Sequence, residues 1–307
     1  MKARFDIVRR RNWFFLLSGA ITVAGLIFFL VFGFNLGTDF VAGSRVQLQL
    51  NQTVDPVKVR AMFKEVGLTV GQDALTVAGD RNDTAVVRFP TVLTLAQRTQ
   101  LTQLETKNFP KSQGADITTV DPIVARILSQ KAVIAVGLAS LFIVIYVAIR
   151  FEFRFAIAAI IALLHDAFIV MSVFALLRLE VDTLFVTAVL TIVGYSVNDT
   201  IVIFDRIREN MKISKPRTFE ELERLVNNSL WQTMTRSINT VLTVLVAALM
   251  LYLFGSPSIH TFTLALIIGL ISGAYSSIFI ASPLWLIWRG RSLPRGPGAE
   301  QVAESPA

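Results

Sequence analysis

The chain has 307 residues, of which 53% are hydrophobic, 23 are Phe and only 17% are charged, with no cysteine and a formal net charge of +7. Globular chains carry about a quarter charged residues, so this composition, with a mean hydropathy of +0.60, excludes an ordinary soluble domain, a disordered chain and a disulfide scaffold. The missing cysteines remove thiol catalysis, Cys-ligated zinc and iron–sulfur chemistry.

Six apolar stretches reach the roughly 18 residues that a helix needs to cross hydrocarbon: 13–34, 132–149, 155–177, 183–204, 237–254 and 261–288. The expected fold is a polytopic α-helical membrane protein with six transmembrane helices. Residues 1–12 precede the first helix as a cytoplasmic N-terminus. The stretch 13–34 is too long for a signal-peptide core and lacks an A-x-A site, so it reads as a retained anchor. Residues 35–131 change character, with 11 basic and 9 acidic side chains in a soluble balance. Alternation predicts a strand over 45–50. Asp55-Pro56 supplies an N-cap and a first helical position for a helix over 55–66. Short strands follow at 74–78 and 85–89 around the turn-rich 79–84, then a helix over 94–108 and a strand over 116–120. The order β-α-β-β-α-β is that of an α+β ferredoxin-like domain, inserted between helices one and two. The other five spans form a bundle over 132–288. The end of the chain, 289–307, turns rich in Pro, Gly, Ala and Glu and reads as a disordered cytoplasmic tail.

Lys and Arg near span ends set orientation. Seventeen of the 29 lie before span one, between spans two and three, between four and five, or after six; the short loops opposite hold only Arg178. Both termini are therefore expected in the cytoplasm, and 35–131 in the periplasm, in an inner-membrane protein. The positive charge is an orientation signal and implies no nucleic-acid partner.

A charge inside hydrocarbon costs about 2.5–3.5 kcal/mol on insertion scales, so such residues are functional candidates. In span four, Thr191, Tyr195 and Asp199 recur every four residues, with Thr187, Gly194 and Asn198 adjoining, a polar stripe on one side of a helix. Span five begins a similar stripe with Arg236, Asn239 or Thr240, and Thr243. Asp199 and Arg236 enter from the same side and are natural partners, either as a static salt bridge or as a proton-titrated pair in which Asp199 switches. His165-Asp166 lies midway along span three, as an internal hydrogen-bonding group or as a second station of a proton path. The only other histidine is His260, so no metal site is expected. In span six, Gly269, Gly273, Ser277 and Ala281 make a small-residue ridge, packed either within the chain or against a partner. The sequence has no Walker A motif, no G-x-S-x-G and no H-E-x-x-H. It is read as a non-enzyme without a nucleotide site, without catalytic residues and without a cofactor beyond protons as coupling ion.

The run 196–210, Ser-Val-Asn-Asp-Thr-Ile-Val-Ile-Phe-Asp-Arg-Ile-Arg-Glu-Asn, resembles the signature of the SecF subunits of the SecD/SecF protein-export family. Gly37-Thr38-Asp39-Phe40-Val41-Ala42-Gly43 resembles the family's G-x-D-F-x-G-G, with Ala42 in place of the first glycine of the pair. His165-Asp166 and the segment 232–240 also resemble family segments. The resemblance covers the chain except its tail. It implies six spans with a periplasmic domain, and a SecD partner that completes a transporter of the resistance–nodulation–division type. It further implies association with the SecYEG translocon, YajC, YidC and the translocating preprotein, and late export driven by the proton-motive force. On the family pattern Asp199 and Arg236 map onto the proton path between the two subunits. With Asn198 and Asp166 they form the candidate relay, and Gly37, Asp39 and Gly43 a candidate hinge. The alternative reading is a half-size proton-driven exporter of small molecules or lipids.

Overall fold

Period-2 alternation and period-3.6 apolar stripes divide the chain into two kinds of structure. In the computed structural model, which describes residues 5–71, 74–78 and 82–293, they separate into two compact units. One comprises the inserted domain, residues 35–135, with 180–183; the other comprises the helices before and after it. The first helix, α1, is Arg11–Phe32.

The domain begins with β1 (Asn35–Leu36) and the one-turn α2 (Thr38–Val41). Then come β2 (Gly43–Gln49), α3 (Pro56–Glu65), β3 (Leu75–Ala78), β4 (Thr84–Phe89), α4 (Leu95–Asn108) and β5 (Ala115–Val120). The sheet is antiparallel in the order β3-β4-β2-β5, the ferredoxin-like arrangement. Its register opposes Val46 to Val87 and Leu48 to Ala85. These residues point into one core with Val59, Met62, Phe63, Leu101 and Phe109 from the helical side. Local chemistry fixes both helix starts. Asp55 accepts from the amides of Val57 and Lys58 ahead of Pro56, and Thr94 with Gln97 forms a reciprocal capping box. Each predicted strand and helix of the domain falls within a residue or two of its observed position. The turn residues 79–81 lie outside the described residues, as does the tail from 294.

The helical unit is longer than its hydrophobic stretches. The second span belongs to α5 (Pro122–Arg150), which starts ten residues before the apolar stretch and passes out of the domain. The third span is α6 (Phe153–Leu176). After the two-residue β6 (Glu180–Val181) come α7 (Thr183–Ser214) and α8 (Phe219–Phe254). The basic stretch between spans four and five is therefore helix rather than loop, apart from residues 215–218. Hydropathy marks only the continuously apolar length. The extensions persist because their apolar side chains Ile207, Leu222, Leu225, Val226 and Leu230 share the bundle core. Span six is a chain of α9 (His260–Ser276), a π turn (Ser277–Ala281) and α10 (Ser282–Gly290). Pro283 has no amide to donate; Ser282 Oγ donates to the Ser277 carbonyl at 3.0 Å in that turn.

Alanines 156, 158, 159 and 162 give α6 a narrow buried face. Phe155 stacks on Trp285 of α10 with centroids 4.3 Å apart and meets Phe204 of α7 at 4.6 Å. Arg11 is paired with Glu223 at 2.6 Å and the Ile7 amide donates to Asn227, tying the N-terminal segment to α8. Among the described residues, six helical segments are long and apolar enough to cross a membrane.

Candidate functional site: buried carboxylates between helices six, seven and nine

The small-residue ridge of α9 packs on α7 within this chain. Gly269 faces Ile192, and a Cβ there would strike that side chain. A Cβ on Gly273 would lie 3.1 Å from Ser196 Cβ. Ser277 Oγ lies 2.8 Å from Thr200 Oγ1. Positions 192, 196 and 200 thus meet 269, 273 and 277 step for step at four-residue spacing, the close approach that small residues permit. Ala281 follows, fully buried.

That approach brings three hydroxyls onto Asp166 of α6. Oδ2 accepts from Ser196 Oγ and Ser276 Oγ, and Oδ1 from Ser272 Oγ, each at 2.7 Å. His165 Nδ1 lies 3.3 Å from Oδ1. Asp166 is 1% exposed. Both oxygens are occupied, so the carboxylate joins three helices. The three serines escaped the sequence reading because a lone Ser in an apolar span carries little signal. Their spacing could have found them: Ser272 and Ser276 are four apart and share a helix face.

Asp199 is also buried, at 7% exposure, yet its surroundings differ. Oδ2 has no hydrogen-bond partner among the described residues, and neither does Ser237 Oγ of α8. Ser237 and the Arg236 charge are its α8 neighbours. The expected ion pair is not formed: among the described residues no ion pair includes Asp199 or Arg236. Arg236 instead lines an open cleft of about 520 Å³ with Asn198, Asp205, Arg206, Glu209, Gln232 and Thr233. Arg206 there donates to Gln232 and to Glu209, each at 2.6 Å. The reason is angular. Successive helical residues are about 100° apart, so the stripe on α7 straddles an edge. Thr187, Gly194, Tyr195 and Asn198 stand on the open side, with Asp199 turned inward. On the inward side Asp199 and Ser196 line a void of about 10 Å³ with Val241, Gly269 and Gly273, about the least space that holds one water. Ser196 therefore touches both carboxylate environments.

The residues 37–43 are tied down within the inserted domain and its partner residues 180–183. The Gly37 amide donates to the Val181 carbonyl at 2.9 Å, continuing the parallel β1–β6 ladder. Asp39 Oδ2 accepts from the amide and hydroxyl of Thr183, at 3.1 and 2.7 Å. Arg88 of β4 pairs with Glu180 at 2.5 Å and donates to Asn35. Gly43 has φ +116° and abuts the Phe89 carbonyl, where no Cβ fits. Ala42 holds φ 70°, ψ 169°, a region used almost only by glycine. Sequence spacing showed none of the partners 180–183, because a two-residue strand has no periodicity. Among the described residues no group of three or more His, Asp or Glu side chains is placed to hold a metal ion.

Comparison with known proteins gives the geometry a family. Residues 100–291 match the family described as protein export membrane protein SecD/SecF, C-terminal, and residues 27–54 match the SecD/SecF GG motif. The chain belongs to the SecD/SecF family. It is 59% identical over the whole length of both chains to the protein translocase subunit SecF of Alicyclobacillus acidocaldarius. It is 45% identical to the protein translocase subunit SecDF of Bacillus subtilis, covering 95% of this chain and 39% of that longer one. The crystal structure of SecDF from Thermus thermophilus superposes with a TM-score of 0.84 at 32% identity, over 94% of this chain and 39% of that chain. As a SecD/SecF protein the chain is a multi-pass membrane protein and a translocase subunit with a supporting role in protein export. The family's GG segment coincides with the corner around Gly37 and Gly43, and its C-terminal region holds both buried carboxylates.

Proposed function

We propose that this chain forms a complex with a SecD-type subunit and uses the proton-motive force to assist late preprotein translocation. The observation that carries this reading is the contrast at Asp199: a buried carboxylate oxygen without a partner, beside an open, charged cleft at Asn198 and Arg236. A group so placed can take a proton at little structural cost, whereas Asp166 is fully engaged by serines. The open polar side of α7 and α8 needs a polar partner surface to be stable in a bilayer. The longer SecDF relatives, of which this chain matches 39%, support a SecD-like partner for that surface.

In this mechanism a proton reaches Asp199 from the partner interface, removes its charge beside Arg236 and Ser237, and lets α7 and α8 repack against the partner. One elementary charge crossing 100 mV supplies about 2.3 kcal/mol, enough to bias a two-state helix arrangement. The change is passed to the outer domains, which hold emerging preprotein and prevent its return. The assembly sits in the inner membrane with both termini cytoplasmic, beside the SecYEG translocon, with YajC and YidC as further members and no cofactor besides the coupling proton. Asp199→Asn, expressed at the wild-type level, is expected to lose proton-dependent export while keeping its fold. Normal export by that variant sinks the relay. Purification from membranes is expected to recover a SecD-like chain; recovery as a homotrimer alone favours the half-size exporter.

A further inference from the structure

The first turn of α6 and the end of α10 enclose a cleft of about 450 Å³, lined by Phe153, Arg154, Ile157, Trp288, Arg291 and Ser292. It shares no lining residue with the cleft at Asn198 and Arg236. We propose that this cleft binds the headgroup of an anionic phospholipid.

Three features point to that ligand. First, the charge is unbalanced: two guanidinium groups line the cleft and no carboxylate does. Neither Arg154 nor Arg291 is in an ion pair among the described residues. Second, Arg154 Nη1 is shut off from solvent without a hydrogen-bond acceptor among the described residues. A buried guanidinium N–H left unmatched is costly, and a phosphate oxygen is the acceptor whose geometry and charge suit it. Third, the walls are apolar and amphipathic. Phe153 is 73% exposed, Ile157 and Trp288 are half-buried, and Ser292, whose hydroxyl donates to the Arg289 carbonyl, completes the lining. The cleft sits where two membrane-spanning helices end. That is the depth at which Trp, Arg and a lipid glycerol-phosphate meet. Phe153 and Ile157 are one turn apart on α6 and offer a track for the first methylenes of an acyl chain. A soluble anion would use the arginines and gain nothing from that track, so the occupant is a lipid.

The test uses the full-length protein purified in detergent and titrated with phosphatidylglycerol, phosphatidylethanolamine and inorganic phosphate, with bound lipid counted by native mass spectrometry. Wild-type protein is expected to retain one phosphatidylglycerol in clear preference to phosphatidylethanolamine, and to show no comparable phosphate adduct. The double variant Arg154→Gln/Arg291→Gln is expected to bind it about twenty-five-fold more weakly, at about fivefold for each basic group near an anionic headgroup. Arg154→Lys/Arg291→Lys, which keeps both charges, is expected to stay within about fivefold of wild type; equal loss in the Lys and Gln variants overturns the proposal. Arg150→Gln, which removes a charge outside this cleft, is expected to bind as wild type does. Equal binding of the two lipids, or unchanged binding in the Gln variant, also overturns it. So does a gain of tenfold or more on deletion of 294–307, because the tail carboxylates of Glu300 and Glu304 would then be the occupants.

Discussion

Two buried carboxylates one helix apart have opposite fates, and substitution separates them. Asp166→Ala removes the acceptor of three hydroxyls. With roughly 0.6–1.7 kcal/mol per buried polar contact in a membrane protein, it is expected to cost about 2–5 kcal/mol and lower the thermal midpoint in detergent. A midpoint equal to that of Asp199→Asn argues against the clamp. In the outer domain, Ala42→Gly is expected to stabilise by about 1 kcal/mol, since the Ala φ of 70° is strained and glycine relieves it; slower hydrogen exchange around β2 is the readout. Glu105 of α4 is 1% exposed and accepts from Ser112. Burial raises its carboxyl above the usual range, and the Ser112 bond and the Ala115 amide only partly offset this. The folded state therefore binds this proton more tightly than the unfolded chain. That stability is present at low pH and is lost as pH rises through the folded value. Glu105→Gln is expected to flatten this pH dependence of exchange in α4 and β5; an unchanged profile assigns it elsewhere. Asp199 and Asp166 were legible in the sequence because a charge in an apolar span is conspicuous. The serines that distinguish them were not, because Ser is common in spans and its partner is decided by packing.

At the level of elements, the α7–α9 seam depends on the absence of side chains. Gly269→Ala is expected to cost about 1–3 kcal/mol by forcing Ile192 aside, and Ile192→Ala in the same chain is expected to recover most of it. Additive losses in the double variant, measured by thermal unfolding, rule out the contact as the cause. The spacing of 269, 273, 277 and 281 was readable, but which surface it met was not, since a ridge of small residues fits any helix equally. The inserted domain was read almost residue by residue because β2 alternates, turn-rich residues bound the short strands, and each helix start is capped by its own side chains. The helical extensions of α7 and α8 were missed for the opposite reason. They are amphipathic beyond the apolar stretch, and hydropathy alone ends a helix where its lipid-facing side turns polar.

For the whole molecule, the proposed orientation has a direct check. The chain has no cysteine, so single cysteines can be read without background. One at Gln52 is expected to react with an impermeant reagent from outside, and one at Ser214 only after the inner face is opened; the reverse pattern inverts the topology. The division into two units followed from charge balance, but the return of residues 180–183 to the inserted domain did not. That pairing joins segments about 145 residues apart, with only two residues each side. Finally, α8 is a single helix of 36 residues, about 54 Å long at 1.5 Å per residue, against about 30 Å of hydrocarbon. Arg236 lies at its midpoint, with no break to absorb motion. A tilt of about 5° there would swing each end by roughly 2 Å, so in the proposed mechanism a proton event felt at the centre of this rod would be delivered, as displacement, to both ends at once.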